Sequence, residues 1–391
     1  MKQCFLLCLL FCLAYQSFGL GAGKYEINIF TRAFYDDNIF MHASNADPVD
    51  SFYHSHNITG KSKLFQDRVT ISKAIEARRR TADNQTFLFG SAKIKAENDF
   101  GPRLNIKLDN GFSHSEREPS DFVDASSNPA DSMDVTFFSN KTKGVITWQS
   151  TYLDKIRYGY ERSVKRWSDN LPLGSDLTNG DYTKNTHSLT LERINNRRFI
   201  SELIATWSDL EYNGNRGGFD SKTLGGQLTY VPNSFMVIKG MVGKHWSEVL
   251  NQAGNINTST RPVYGANVTF FTPRGTTLGF NLIYDVTDSG AGYWNAKENR
   301  KAMVIAKYPF TPKTEISLMG LWMQTEYFLE YNRYEGVDLE RIEDIFVSSV
   351  TLSWNYNRNH YAEIGYQGMH LFNRDADVFK NKVFIGYRLK F

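Results

Sequence analysis

The sequence predicts an all-β protein: a transmembrane up-and-down antiparallel β-barrel of about eighteen strands, with sixteen as the alternative count. Three observations predict it. Val383, Ile385, Tyr387, Leu389 and Phe391 are apolar or aromatic, and Phe384, Gly386, Arg388 and Lys390 lie between them. Such alternation gives a strand one oily face and one mainly polar face. Short breaks rich in turn residues interleave with longer polar breaks along the whole chain. Finally, the mean hydropathy is −0.44, yet the chain carries 28 Phe and 21 Tyr, and aromatics reach 14%. Strands that face lipid on one side and water on the other have this composition.

The 391-residue chain opens with Met1-Lys2-Gln3, an apolar run from Cys4 to Tyr15, and then Gln16-Ser17-Phe18-Gly19. One positive charge, a short oily core and small residues read as an export signal peptide over 1–19, leaving 20–391 as one barrel domain. The run is too short to span a membrane as a helix. Leu7 precedes Cys8 and Phe11 precedes Cys12, where a lipid-anchor motif needs a small residue. Cys4, Cys8 and Cys12 all lie in this segment, so the mature chain has no disulfide or thiol chemistry. The formal charge of +3 gives no case for a nucleic-acid partner.

The short breaks are Phe65-Gln66-Asp67, Asn98-Asp99-Phe100-Gly101, Gln149-Ser150-Thr151, Asn195-Asn196-Arg197, Pro232-Asn233-Ser234, Thr272-Pro273-Arg274-Gly275, Thr311-Pro312-Lys313 and Asn357-Arg358-Asn359. Asn, Gly, Pro and Asp suit tight turns. The longer breaks fall near 36–51, 80–84, 115–131, 168–181, 213–219, 247–260, 286–293, 329–343 and 372–378. Short turns at one end and longer loops at the other are the rhythm of an up-and-down barrel. Between the breaks, Leu278, Phe280, Leu282 and Tyr284 share one parity, as do Tyr264, Ala266, Val268 and Phe270. Segments 69–79 and 135–148 alternate less clearly. Many oily stripes end in aromatics beside the short turns: Trp148, Tyr230, Phe270, Tyr308, Phe310, Trp354, Tyr356 and Phe391. These are expected to form a girdle at one membrane interface. Lys24–Phe34 already reads as a strand, so no plug domain is expected before the barrel.

With the oily parity facing lipid, Lys155, Arg157, Glu161, Lys239, Asn281, Lys301, Lys307, Glu363, Gln367, Arg388 and Lys390 face inward. A barrel of this strand number encloses a water channel. A lining with more cations than carboxylates favours anionic solutes. No Gly-x-Ser-x-Gly, His-Glu-x-x-His or phosphate-cradling loop is present, so no catalytic residue, metal or cofactor is expected. His54-Ser55-His56 puts two imidazoles on one strand face, one ligand short of a metal site. Ser113 and His114, as neighbours on a strand, point to opposite faces and make no pair. Asp36-Asp37-Asn38 offers oxygens for a hard cation, but a turn cap explains it better. The segment Glu326 to Asp344, with Tyr327, Tyr331 and Tyr334, is expected as a loop whose rings and carboxylates suit carbohydrate.

Two segments carry a family resemblance. Tyr35-Asp36-Asp37-Asn38-Ile39-Phe40 resembles the opening signature of the β-barrel porins of the type 2 family. Asn373-Arg374-Asp375 followed by Phe379-Lys380-Asn381-Lys382-Val383-Phe384-Ile385-Gly386 resembles their final hairpin. The closing strand, with Tyr387, Leu389 and Phe391, also looks like the assembly signal of bacterial outer-membrane barrels. The resemblance covers only the two ends. It implies outer-membrane lipid around the barrel, the barrel-assembly machinery as a partner, and a role as the exit channel for an exopolysaccharide working with a periplasmic export protein. A general or sugar-uptake diffusion porin is the alternative, with a barrel enzyme or structural surface protein behind it. The family defines no catalytic residues.

Overall fold

The computed structural model describes residues 24–37, 51–81, 84, 86–117, 135–167, 181–212, 218–250, 256–288, 294–330, 341–373 and 377–391. Alternation becomes strand throughout: β1 Lys24–Asp36, β2 Ser51–Leu64, β3 Val69–Arg80, β4 Thr86–Phe100, β5 Leu104–Arg117, β6 Val135–Gln149, β7 Asp154–Trp167, β8 Tyr182–Ile194 and β9 Phe199–Tyr212. The second half continues with β10 Gly218–Asn233, β11 Met236–Leu250, β12 Ile256–Phe271, β13 Thr277–Asp288, β14 Trp294–Thr311, β15 Thr314–Glu330, β16 Arg341–Asn355, β17 His360–Asn373 and β18 Asp377–Lys390. Each strand pairs antiparallel with its sequence neighbours, and β1 pairs with both β2 and β18. The eighteen-stranded sheet is therefore a closed barrel, and it has no free edge.

The short breaks all fall at one end, where side chains satisfy backbone groups in most of the turns. Asn196 Oδ1 accepts from the amides of Arg198 and Phe199 at 2.8 and 3.0 Å. Asn357 Oδ1 does the same for Asn359 and His360 at 2.8 and 2.9 Å. Asn is common in these turns because its side chain mimics a backbone carbonyl. Four turns begin slightly later than the sequence suggests: β4 runs to Phe100, β6 to Gln149, β10 to Asn233 and β14 to Thr311. Strand pairing continues there until the geometry of the hairpin forces a reversal.

Register fixes which face each residue occupies, because residues opposite one another in a ladder share a face. Starting from the oily parity of β18, one assignment runs consistently around the whole barrel. Its outward set includes the exposed Leu224, Leu228, Phe280, Leu282, Val350, Leu352, Ile364 and Ile385. A continuous apolar wall of this kind needs an apolar solvent around it. The expected girdle residues lie at the short-turn end, with Tyr308 edge-on to Phe310 and Trp354 edge-on to Tyr356. A second girdle, not anticipated from the sequence, lies nearer the other end and recruits histidine. His187 stacks on Trp207 at 5.2 Å, His114 meets Phe138 at 4.6 Å, and Tyr264 stacks on Tyr284 at 4.9 Å. Phe346 and Trp354, in opposite girdles on β16, are about 26 Å apart along the strand. At the usual tilt that is roughly 20 Å of membrane depth.

The closing seam is pinned from both faces. On the inner face Asp36, fully buried, is 3.1 Å from Lys380 Nζ. On the outer face Asn381 donates its backbone and side-chain N–H groups to Asp37 at 2.6 and 2.7 Å. Asp37 N–H in turn donates to the Asn381 carbonyl at 3.1 Å. At the opposite end Phe391 exchanges both backbone hydrogen bonds with Ile27. Between them, ring packing on glycine lets the strands approach. Phe384 lies against Gly365 and Phe30 against Gly386, where any Cβ would collide.

One ladder is incomplete. β12 pairs with β13 only up to Tyr264 and Tyr284, although β12 continues beside β11 and β13 beside β14. Pro262 has no N–H to donate at this point. Arg261 belongs to the inward set and Glu298 to the outward set, yet Arg261 Nε lies 2.6 Å from Glu298 Oε1. Tyr284 also donates its hydroxyl to Glu298 Oε2 at 2.6 Å. These side chains close the wall where the backbone does not.

Two outcomes are expected. Val350→Arg, outward and midway between the girdles, should destabilise the barrel by about 2–4 kcal/mol, and Ser349→Arg, its inward neighbour, by far less. Equilibrium unfolding in lipid vesicles reads the difference. Asp36→Asn should cost about 3 kcal/mol by leaving Lys380 in a buried site without its carboxylate, and adding Lys380→Met should restore most of it. The urea midpoint of the folded band on cold gels measures both.

Candidate functional site

The inner wall is where chemistry meets water. All eight candidate lining residues, Lys155, Arg157, Glu161, Lys239, Lys301, Glu363, Arg388 and Lys390, fall on the inward parity, as do Asn281, Lys307 and Gln367. Tyr387 and Leu389 fall on the outward parity, and Phe391 pairs with outward Ile27.

Most of these inward charges are matched. Lys155 Nζ and Arg157 reach Glu192 at 3.1 and 2.7 Å, and Arg157 also binds Glu202, which accepts from Gln227 as well. Glu161 lies 2.6 Å from Lys141 and 4.0 Å from Lys143. Lys93 meets Asp109 at 3.0 Å and Lys107 meets Glu97 at 2.8 Å. The wall from β4 to β10 is thus a lattice of ion pairs in which single carboxylates serve two cations, as Asp109 and Glu161 do. Elsewhere Lys301 lies 3.7 Å from Asp285, Lys390 binds Glu26 at 2.9 Å, and Arg32 binds Glu363. Among the described residues, Lys239 and Lys307 have no ion-pair partner.

The wall around the closing seam is built differently. Inward Phe34 stacks on Tyr53 at 4.6 Å, with Phe384 packed against the pair. Cations lie over these rings. Lys382 is 3.9 Å from the Phe34 centroid, Arg32 sits between Phe30 and Phe384 at 4.9 and 4.8 Å, and Arg78 lies 4.9 Å over Phe89. Stacking on a ring fixes a cation in place, and here it is added to ion pairs, Arg32 with Glu363 and Arg78 with Glu76 at 3.3 Å. The Glu192 and Glu202 partners and the inward rings were missed in the sequence. A Phe on the polar parity, at Phe30, Phe34 and Phe384, was the available signal.

The other sequence candidates resolve as follows. His54 and His56 lie on the outward face, and His56 Nδ1 is 3.2 Å from Thr31 Oγ1. Among the described residues no cluster of three or more ligating side chains could hold a metal. Ser113 points inward to Ser139 at 2.6 Å, and His114 points outward to Phe138. Asp36 and Asp37 are engaged in the seam, and Asn38 lies outside the described residues. The expected loop from Glu326 to Asp344 is shorter than drawn. Glu326 and Tyr327 belong to β15 and Asp344 to β16, because their ladder continues past Gln324. Glu326 is bound to outward Arg300 at 3.4 Å. Tyr331 and Tyr334 lie outside the described residues, as does the 1–19 segment read as a signal peptide.

No family model matches the chain, and no curated protein matches it in sequence. Its fold does match solved structures. The FrpB iron transporter of Neisseria meningitidis (F3-3 variant) superposes with TM-score 0.55 and 10% identity over 92% of this chain. This chain spans 64% of that one. OccAB3 of Acinetobacter baumannii gives TM-score 0.51 at 10% identity, covering 94% of this chain and 100% of that one. A BenF-like porin of Pseudomonas fluorescens Pf-5 gives 0.51 at 11% identity, covering 94% and 99%. The chain has the fold of an outer-membrane porin.

Replacing Glu192 and Glu202 together by Gln should free Arg157 and Lys155. In planar bilayers the chloride-to-potassium permeability ratio should then rise about twofold or more, as two fixed carboxylates leave the lumen. An unchanged ratio would show that these pairs do not face the ion path.

Proposed function

We propose that the chain is an outer-membrane diffusion porin for small anionic solutes. The observation that carries it is the inner face of the eighteen-stranded barrel, where cations outnumber carboxylates and Lys239, Lys307 and Arg388 carry no carboxylate partner among the described residues. A closed barrel of this strand number is wide enough for water-filled passage, and fixed positive charge concentrates anions within it. Lys155, Arg157, Glu161, Lys239, Lys301, Glu363, Arg388 and Lys390 form the lining. The chain reaches the outer membrane by export with an N-terminal signal peptide. The barrel-assembly machinery inserts it through the closing strand with Tyr387, Leu389 and Phe391. The work is transport, with no chemistry on the solute.

The exopolysaccharide reading has weaker support than uptake. Its two supporting segments meet at the seam, where Asp36 and Asp37 engage Lys380 and Asn381. Any barrel needs that closure, so these residues do not argue for a particular cargo. The solved structures of the same fold are porins and transporters.

The test is the reversal potential in a potassium chloride gradient. The refolded protein should be anion-selective, and Lys239→Gln with Lys307→Gln should move the potential toward the non-selective value. A cation-selective or non-conducting channel would overturn the proposal.

A further inference from the structure

Arg388 is held differently from the inward cations beside it. Lys390, next on the same face, is bound to Glu26, and Arg32, one row away, is bound to Glu363. Arg388 is exposed, and its guanidinium carbon lies 4.6 Å from the ring centroid of Tyr361. Among the described residues that ring is its partner, and no carboxylate engages it.

The platform beneath it is rigid. Tyr361 donates its hydroxyl to Glu363 Oε2 at 2.9 Å. Glu363 is nearly buried and tied to Arg32, which is itself clamped between Phe30 and Phe384. Phe30 and Phe384 are seated on Gly386 and Gly365. Each contact restricts the next, so the ring on which Arg388 rests is set before any solute arrives. A guanidinium on such a ring suits a planar two-oxygen anion, which it can grip with parallel N–H bonds. The surroundings set the charge as well. Arg388, Arg32, Lys390 and Lys61 stand against Glu363 and Glu26, an excess of positive charge that draws an anion.

We propose that Arg388 is a carboxylate-binding subsite of the channel, and that the solutes it admits preferentially are small organic carboxylates. This rests on the anion-porin reading. Arg388 holds the carboxylate and Tyr361 positions Arg388.

The experiment is solute flux into proteoliposomes, with gluconate as the probe and xylose flux in the same vesicles to normalise for folded protein. Wild-type gluconate flux should saturate. Arg388→Gln should raise the half-saturating concentration about tenfold, the worth of one charge-assisted contact. Arg388→Lys, which keeps the charge but lacks the fork, should raise it by a smaller factor. Tyr361→Leu should shift it in the same direction. The subsite is overturned if Arg388→Gln saturates like wild type, if Arg388→Lys is indistinguishable from wild type, or if inorganic phosphate saturates at the same concentration as gluconate. The salt-gradient potential is read separately. An anion-selective channel whose gluconate flux ignores Arg388 sinks the subsite alone, and a channel without anion preference sinks the porin reading first.

Discussion

The meeting of β1 and β18 is the constraint on which everything else depends. A sheet in lipid must leave no unpaired backbone groups at its edges, and only closure removes the edges. That requirement joins residues 344 positions apart, with Asp37 hydrogen-bonded to Asn381 and Asp36 beside Lys380. Once the ends are pinned in one register, the parity of every other strand follows. A slip of one residue at the seam would turn Ile385 and Tyr387 toward water and Arg388 toward lipid. The inner surface is thus a consequence of the seam as much as of its own residues.

Charge on that surface is managed in two ways. From β4 to β10 it is cancelled locally by carboxylates, as Glu192 and Glu202 do for Lys155 and Arg157. Around the seam rings are added to the ion pairs: Arg32, bound to Glu363, also lies between Phe30 and Phe384, and Arg388 rests on Tyr361. Pairing makes a wall wet and inert. Stacking leaves donors fixed in direction. The two sides of one lumen therefore present different surfaces to a passing solute.

The sequence showed the strands and their number because period-two alternation is a local property. The strand Leu278, Phe280, Leu282, Tyr284 could be assigned to a face without knowing its neighbours. The weak segments have physical reasons. β6 turns Asn140 and Thr142 outward beside Asn110, which donates to Thr142 at 2.7 Å, so its oily face is broken by polar groups that satisfy one another. β3 turns Lys73 outward. Partners across strands were not legible, since Arg157 finds Glu202 only through the registers of β7, β8 and β9. The inward Phe30, Phe34 and Phe384 were hidden because aromatic residues usually mark the lipid face. The histidine-bearing girdle was hidden because imidazole does not register as oily.

The interrupted ladder between β12 and β13 divides the cylinder into unequal mechanical parts. Below Tyr264 the wall is a continuous fabric of amide bonds, and above it two hairpins stand side by side, laced by the carboxylate of Glu298. Under thermal or osmotic strain such a tube tears along its weakest generatrix. The rim between Pro262 and Val286 is therefore the softest line of the barrel, where breathing motions and amide deuteration should start.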